Sequence, residues 1–302
     1  MRRLGDLEMA GADDRIASGQ ADGTAADYKA AVTRYQEFLV AYPKDPGNDR
    51  VLYQLARAHE QGGELEVALK TLDRLVADGV RPDLIATVKG VPTGTAFVSY
   101  NDDGSRDFVY NIVLSAAARF GGDDATIAGL LKFAPHVMHV SGSALSNPDM
   151  CAKVLRVCKA LHAKGVKISF DPNVRKELMG NPAYFDAVRG MMAISAIFLP
   201  SEDDAAALFP GEPLSVFAPK LFATGTDYVV LKKGEHGCEG MAPGGAHVAL
   251  TAHAVPVLDP TGAGDCFCAT FVTLIASGKF DLRAAMQRAN AAGALAVTKI
   301  GP

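Results

Sequence analysis

Near the C-terminal end, the run Asp259-Pro260-Thr261-Gly262-Ala263-Gly264-Asp265 combines the side chains and backbone freedom that phosphate chemistry needs. Glycines let the backbone approach an anion closely. The unpaired N–H groups and positive dipole end of a helix starting at about Gly264 favour negative charge. Asp265 falls in the first turn of that helix. A carboxylate beside a phosphate cradle makes chemical sense as the base that takes a proton from an attacking hydroxyl. The run is not a Walker A loop, because no Gly-Lys-Ser/Thr follows. On these residues alone the alternative stays open: a structural turn whose aspartate caps a helix.

The elements around this run predict how it is positioned. A strand over 253–258 would feed the turn, and Phe267, Phe271, Leu274 and Ile275 recur as the buried stripe of the helix that follows. Upstream, apolar runs at 95–100 and 106–110 flank Asn101-Asp102-Asp103-Gly104 and read as a β-hairpin. Further strands are predicted at 136–140, 166–170, 196–199 and 228–231. Between the first two of these, Cys151, Val154, Leu155, Cys158 and Leu161 form one helical face behind Asn147-Pro148, a good helix start. Strands alternating with helices predict an α/β fold with a mostly parallel sheet covered on both faces. Ligands gather at the carboxyl ends of such strands.

With these elements in place, the Asp-x-Thr-Gly-Ala-Gly-Asp-x-Phe run (259–267) resembles the C-terminal signature of ribokinase-like (PfkB) carbohydrate kinases. The resemblance implies that Asp265 is the catalytic base and that the amides of Gly262, Ala263 and Gly264 form the anion hole for the transferring phosphate. It also implies ATP and Mg2+ as cofactors and a small sugar as substrate. Thr261, and the turn Lys233-Gly234-Glu235-His236-Gly237 with its Lys233, Gly234 and Gly237, resemble the nucleotide side of the family's site. Asn290 lies in the helix that flanks adenine in relatives. Pro92-Thr93-Gly94 and the strand behind it resemble the segment near the sugar site and lid. Asp171-Pro172-Asn173-Val174-Arg175 resembles the 2-keto-3-deoxygluconate kinase branch, which implies that Asn173 and Arg175 contact a keto or acidic sugar, Arg175 in bidentate fashion. Where relatives usually carry a magnesium-linked Asn-x-x-Glu, this chain has Ser201-Glu202-Asp203-Asp204, which keeps a carboxylate at Asp204 as a candidate metal contact.

The first eighty residues differ in kind. They hold 10 basic and 14 acidic residues, which leaves 20 of each for the remainder. Helices are predicted over 27–42 and 50–77, with Ala31, Tyr35 and Phe38 at helical spacing before Pro43, and Leu52, Leu55, Ala56 and His59 before Gly62-Gly63. Ala68, Leu72 and Leu75 continue on a second helix. These offsets resemble the tetratricopeptide repeat, with Leu4-Gly5 in an earlier helix set apart by a polar insertion around 10–25. That resemblance implies contact with a protein or peptide. The expected division is a helical segment over 1–79 and a kinase domain over 80–302, joined near residues 76–82.

The opening strand and glycine-rich segment of the kinase family have no counterpart before residue 80. The expectation is therefore nucleotide binding that survives better than phosphoryl transfer. An exposed sheet edge would be covered by the helical segment or paired by a partner, a second copy included. The competing expectation is a non-catalytic interaction protein with a nucleotide-binding remnant. The net charge of −4 argues against a general nucleic-acid binder. Five cysteines without regular pairing suit a reducing compartment, and no apolar run approaches a membrane span, so the expected location is the cytoplasm. The seven histidines form no metal-ligand spacing, and His139 and His236 read as polar fillers.

Overall fold

A computed structural model of the chain describes residues 2–17, 24–43, 45, 48–61, 88–92, 94–100, 106–112, 114–145, 147–174 and 181–298. Arg175, Thr93, the hairpin turn at 101–104, the helix expected over 62–77 and the junction near 76–82 lie outside these residues. Two compact units are present, residues 1–92 and 93–302.

The first unit contains helices α1 (Arg2–Ala17), α2 (Thr24–Ala41) and α3 (Asn48–Gln61). Met9, Ala12, Tyr28, Ala31, Tyr35, Phe38, Val51, Leu55 and Ala58 form its buried core. Gly5 matters for a steric reason: a Cβ there would stand 2.7 Å from Cε1 of Tyr35. The ring therefore lies directly on the α1 backbone, and its hydroxyl donates to Asp6 Oδ1 at 2.8 Å. The polar stretch expected to interrupt the chain from residue 10 is instead helical as far as Ala17, because Met9 and Ala12 both reach the core.

The second unit opens with an antiparallel hairpin of β1 (Thr95–Tyr100) and β2 (Arg106–Asn111). It then builds a six-stranded sheet from β3 (Val137–Ser141), β4 (Lys167–Asp171), β5 (Ser195–Phe198), β6 (Tyr228–Lys232), β7 (Cys238–Ala242) and β8 (Ala246–Leu250), in that spatial order. The pairs from β3 to β6 are parallel, and the pairs β6–β7 and β7–β8 are antiparallel. Helices α4 (Asp124–Phe133), α5 (Pro148–His162), α6 (Pro182–Ile194), α7 (Glu202–Leu208) and α8 (Leu214–Phe222) precede β6. Helices α9 (Ala263–Ala276) and α10 (Leu282–Ala296) follow β8.

Strand alternation divides the core between two faces. Ile168 and Phe170 of β4 pack with Val154, Cys158 and Leu161 of α5 and with Val188 and Met191 of α6. Ile197 and Val230 join Phe267 and Phe271 of α9 and Ala285 and Met286 of α10 on the other face. α5 begins as its sequence predicts, with Asn147 Oδ1 accepting from the Met150 amide at 3.0 Å and Pro148 at the first helical position.

Two differences from the sequence reading concern the approach to the glycine turn. Residues 253–258 do not form a strand. Pro256 removes a ladder donor, Val257 and Leu258 are exposed, and the Leu258 and Asp259 amides both donate to the Val297 carbonyl at 2.8 and 3.2 Å. The hairpin β7–β8 was not predicted, although Gly244 and Gly245, with φ of 81° and 85°, supply a turn that Pro243 introduces.

Gly142 fixes how closely the β3 and β4 ends approach. A Cβ on it would fall 1.6 Å from the Pro172 carbonyl oxygen, which belongs to the backbone and cannot swing aside. Gly142→Ala should therefore destabilise the chain by about 1–3 kcal/mol or more. Gly129→Ala, in α4 with open space around it, should stabilise by roughly 0.5–1 kcal/mol. Chemical denaturation of both variants checks the pair; equal stabilities would contradict this packing.

Candidate active site

The carboxyl ends of β3, β4 and β6 and the start of α9 meet at one polar cluster. The Lys232 ammonium, at the end of β6, pairs with Asp171 Oδ2 at the end of β4. Its Nζ also lies 3.6 Å from Cys268 Sγ on α9, and that thiol is 3.4 Å from Asp171 Oδ2. The Lys232 and Asp171 side chains are only 15% and 7% exposed. Burial works against the Lys232 charge, but Cys268 and Asp171 outweigh it and raise the lysine pKa above its ordinary value. Burial also pushes the Cys268 thiol up. On the same face, His139 Nδ1 lies 3.0 Å from Ser169 Oγ, and burial holds this imidazole below its ordinary pKa.

Above this cluster the 259–265 run takes the shape its glycines allow. Asp259 is buried, and its Oδ1 accepts the Thr261 amide at 2.9 Å. Gly262 is left-handed with φ 80°, a conformation that favours glycine, and α9 starts at Ala263 with no side chain capping it. A Cβ on Gly293 of α10 would lie 3.3 Å from the Ala263 carbonyl, so the second helix packs close against the first turn. Asp265 sits in that turn with its side chain exposed. A Cβ on Gly264 would stand 3.7 Å from Lys232 Nζ. The helix start thus has a solvent-facing carboxylate in its first turn and a buried ammonium close to Gly264.

The remaining predicted residues spread over neighbouring strand ends. Asn173 has φ 37°; its amide donates to Asp171 Oδ1 at 3.3 Å and its Nδ2 to Ser141 Oγ at 3.4 Å. Asp204 is buried at the start of α7. Its Oδ1 accepts the Val174 amide at 2.6 Å, and its Oδ2 accepts the Ser201 amide and hydroxyl at 2.8 and 2.7 Å. Among the described residues no three His, Cys, Asp or Glu side chains cluster as a metal site.

The 233–237 turn closes on itself through the Lys233 amide to the Gly237 carbonyl at 2.8 Å. Gly237, with φ 93°, would place a Cβ 2.0 Å from the Leu250 carbonyl, so the turn is pinned to the end of β8. Lys233 Nζ reaches Glu239 Oε2 at 3.5 Å, and Asn290 Nδ2 donates to the Thr251 carbonyl at 2.7 Å. Sequence reasoning singled out neither Lys232 nor Cys268 as site residues. A signal existed, because Lys232 shares the alternation of the buried Val230 and so points inward.

The profile of the pfkB family carbohydrate kinases matches residues 68–302, beginning somewhat upstream of where the motifs alone suggest. A tetratricopeptide repeat profile matches residues 15–89, in keeping with the helices and core of the first unit. Among curated proteins, the ribokinase of Bacillus subtilis is 29% identical over 238 residues, which is 76% of this chain and 71% of that protein. The 2-dehydro-3-deoxygluconokinase of Dickeya dadantii is 30% identical over 212 residues, 67% of each. Among solved structures, an E. coli protein described as ribokinase II, in complex with ATP and Mg2+, is similar with a TM-score of 0.66 at 31% identity. That match covers 80% of this chain and 75% of the other. The ribokinase-like α/β sheet, the glycine turn opening α9 and these matches agree: the chain belongs to the pfkB family of carbohydrate kinases.

Proposed function

We propose that the chain phosphorylates a primary hydroxyl of a keto or acidic sugar, such as 2-keto-3-deoxygluconate, with Asp265 as the general base. The observation that carries this reading is the start of α9, uncapped by any side chain, with a left-handed Gly262 before it and an exposed Asp265 in its first turn. Amides left free at a helix start, together with the helix dipole, stabilise charge on a phosphoryl group in flight. When bound, ATP supplies that phosphoryl group, and magnesium neutralises charge on its phosphates. The amides of Gly262 and Gly264, and that of Ala263 on giving up its 3.4 Å bond to the Pro260 carbonyl, face the charge, and Asp265 accepts the proton of the attacking hydroxyl. Asp204 Oδ2 accepts two hydrogen bonds from Ser201 and Oδ1 one from Val174, which leaves Oδ1 as the atom that would contact magnesium.

The 233–237 turn, Thr261 and Asn290 are the proposed nucleotide side. Asn173 and Arg175 are the proposed sugar side, by analogy with the Dickeya relative, whose name gives its substrate. Ribokinase and fructokinases among the other relatives make ribose and fructose the sugars to test alongside. We place the boundary with the helical segment near residue 80 and propose that this segment contacts a protein or peptide, as the repeat match supports. Among the described residues no helix is long and apolar enough to cross a membrane. A cytoplasmic site of action also suits the five free cysteines.

Asp265→Asn keeps the shape of the turn and removes the proton acceptor. With a turned-over sugar, kcat should fall on the order of 10²-fold or more, while Mg-ATP affinity by calorimetry changes little. A variant within a few-fold of the parent would remove Asp265 from the role of base.

A further inference from the structure

The proposed chemistry leaves Lys232 without a task, and its position is electrostatically costly. Its ammonium is buried against the first turns of α9, with Gly264 and Cys268 one helical turn apart above it. The amides at a helix start already carry about half a positive charge, so the ammonium adds like charge to like. On this sheet face Ile197, Val230, Phe267 and Phe271 are apolar and buried, while His139 and Ser169 lie on the polar side with Asp171. A pair serving only to fill this space could be replaced by apolar side chains at little cost or some gain. Asp171 makes the ammonium tolerable but does not explain why it is there. An anion held at the turn above explains it, because the ammonium and the positive end of the α9 dipole would then converge on one negative charge with only the backbone of Gly264 between.

We propose that Lys232 is a positioning residue for phosphoryl transfer, held by Asp171 so that its charge supports the transferring phosphate through the Gly262–Gly264 turn. The inference rests on the kinase reading above and adds a residue to it. Lys232 is not proposed to touch the sugar or to move a proton. Asp171 fixes the ammonium from below, and the Lys232 amide, donating to the Pro200 carbonyl at 2.8 Å, anchors the backbone that carries it.

The test compares the parent with Lys232→Met, Asp171→Asn and the double variant Lys232→Met/Asp171→Asn, each assayed where circular dichroism shows it folded. The single variants strand a buried partner and should melt below the parent. The double variant removes both charges of the pair, stranding neither, and should regain most of the parent's melting temperature. If Lys232 supports the phosphate, the double variant should stay at least about tenfold down in kcat. Its KM for sugar should remain within two- to threefold, and its preference for Mg-ATP over adenosine in binding should drop by a similar factor of about ten. A double variant that recovers both stability and parental kcat would make the pair purely structural and overturn the proposal, as would an unchanged preference for Mg-ATP over adenosine in a folded Lys232→Met. A parent that neither binds Mg-ATP nor turns over any sugar would overturn the kinase reading, and this inference with it.

Discussion

A buried ammonium facing the start of a helix stays charged only where a carboxylate lies against it, and the pair Lys232–Asp171 meets that condition at the carboxyl edge of the sheet. Much of the edge is organised around it. Asp171 uses its other oxygen to accept the Asn173 amide, and Asn173 reaches Ser141 at the end of β3. The next amide, Val174, goes to Asp204, which also binds Ser201, and Ser201 pairs back across to Lys232. A closed polar circuit thus ties the ends of β3, β4 and β6 to the start of α7. Loops at strand ends are free to vary, but this edge is laced to the sheet by buried hydrogen bonds whose loss would leave polar groups unsatisfied.

The glycines complement the circuit by letting backbones meet where side chains would clash. Gly142 admits the Pro172 carbonyl, Gly237 admits the end of β8, and Gly293 admits the first turn of α9. The first two contacts join strand-end segments, and the third packs α10 against the start of α9. In the first unit Gly5 plays the same part against the Tyr35 ring, in a helical core that matches the tetratricopeptide repeat. Two units, the described core of one built from helices and that of the other from sheet and helices, follow from the change of periodicity along the chain.

Much of this is legible in the sequence because it is local. The apolar runs ending at Ser141, Asp171 and Lys232 appear as strands within about a residue of their predicted positions, and the Asn147-Pro148 start of α5 follows from side-chain capping alone. The 253–258 segment misled for an equally local reason: its alternation resembles a strand, yet Pro256 and the bonds to Val297 take it out of any ladder. The Lys232–Asp171–Cys268 cluster was not legible, since its members are 61 and 97 residues from Asp171 and meet only when α9 folds over the sheet. Asp204 reads in sequence as a possible metal contact, whereas its geometry depends on the distant Val174 amide, which no local pattern announces.

The central claim is that this edge, and the turn at 262–265 in particular, takes the phosphates of the nucleotide. Hydrogen exchange with and without Mg-ATP addresses it most directly, because amides in the first turn of a helix lack an intrahelical acceptor and exchange readily unless an anion occupies them. The account predicts new protection concentrated at residues 262–266, with a second region at 232–237, and no change over residues 24–61. Protection confined to the helical unit, or a 262–266 segment that exchanges as fast with Mg-ATP as without it under saturating conditions, would contradict it.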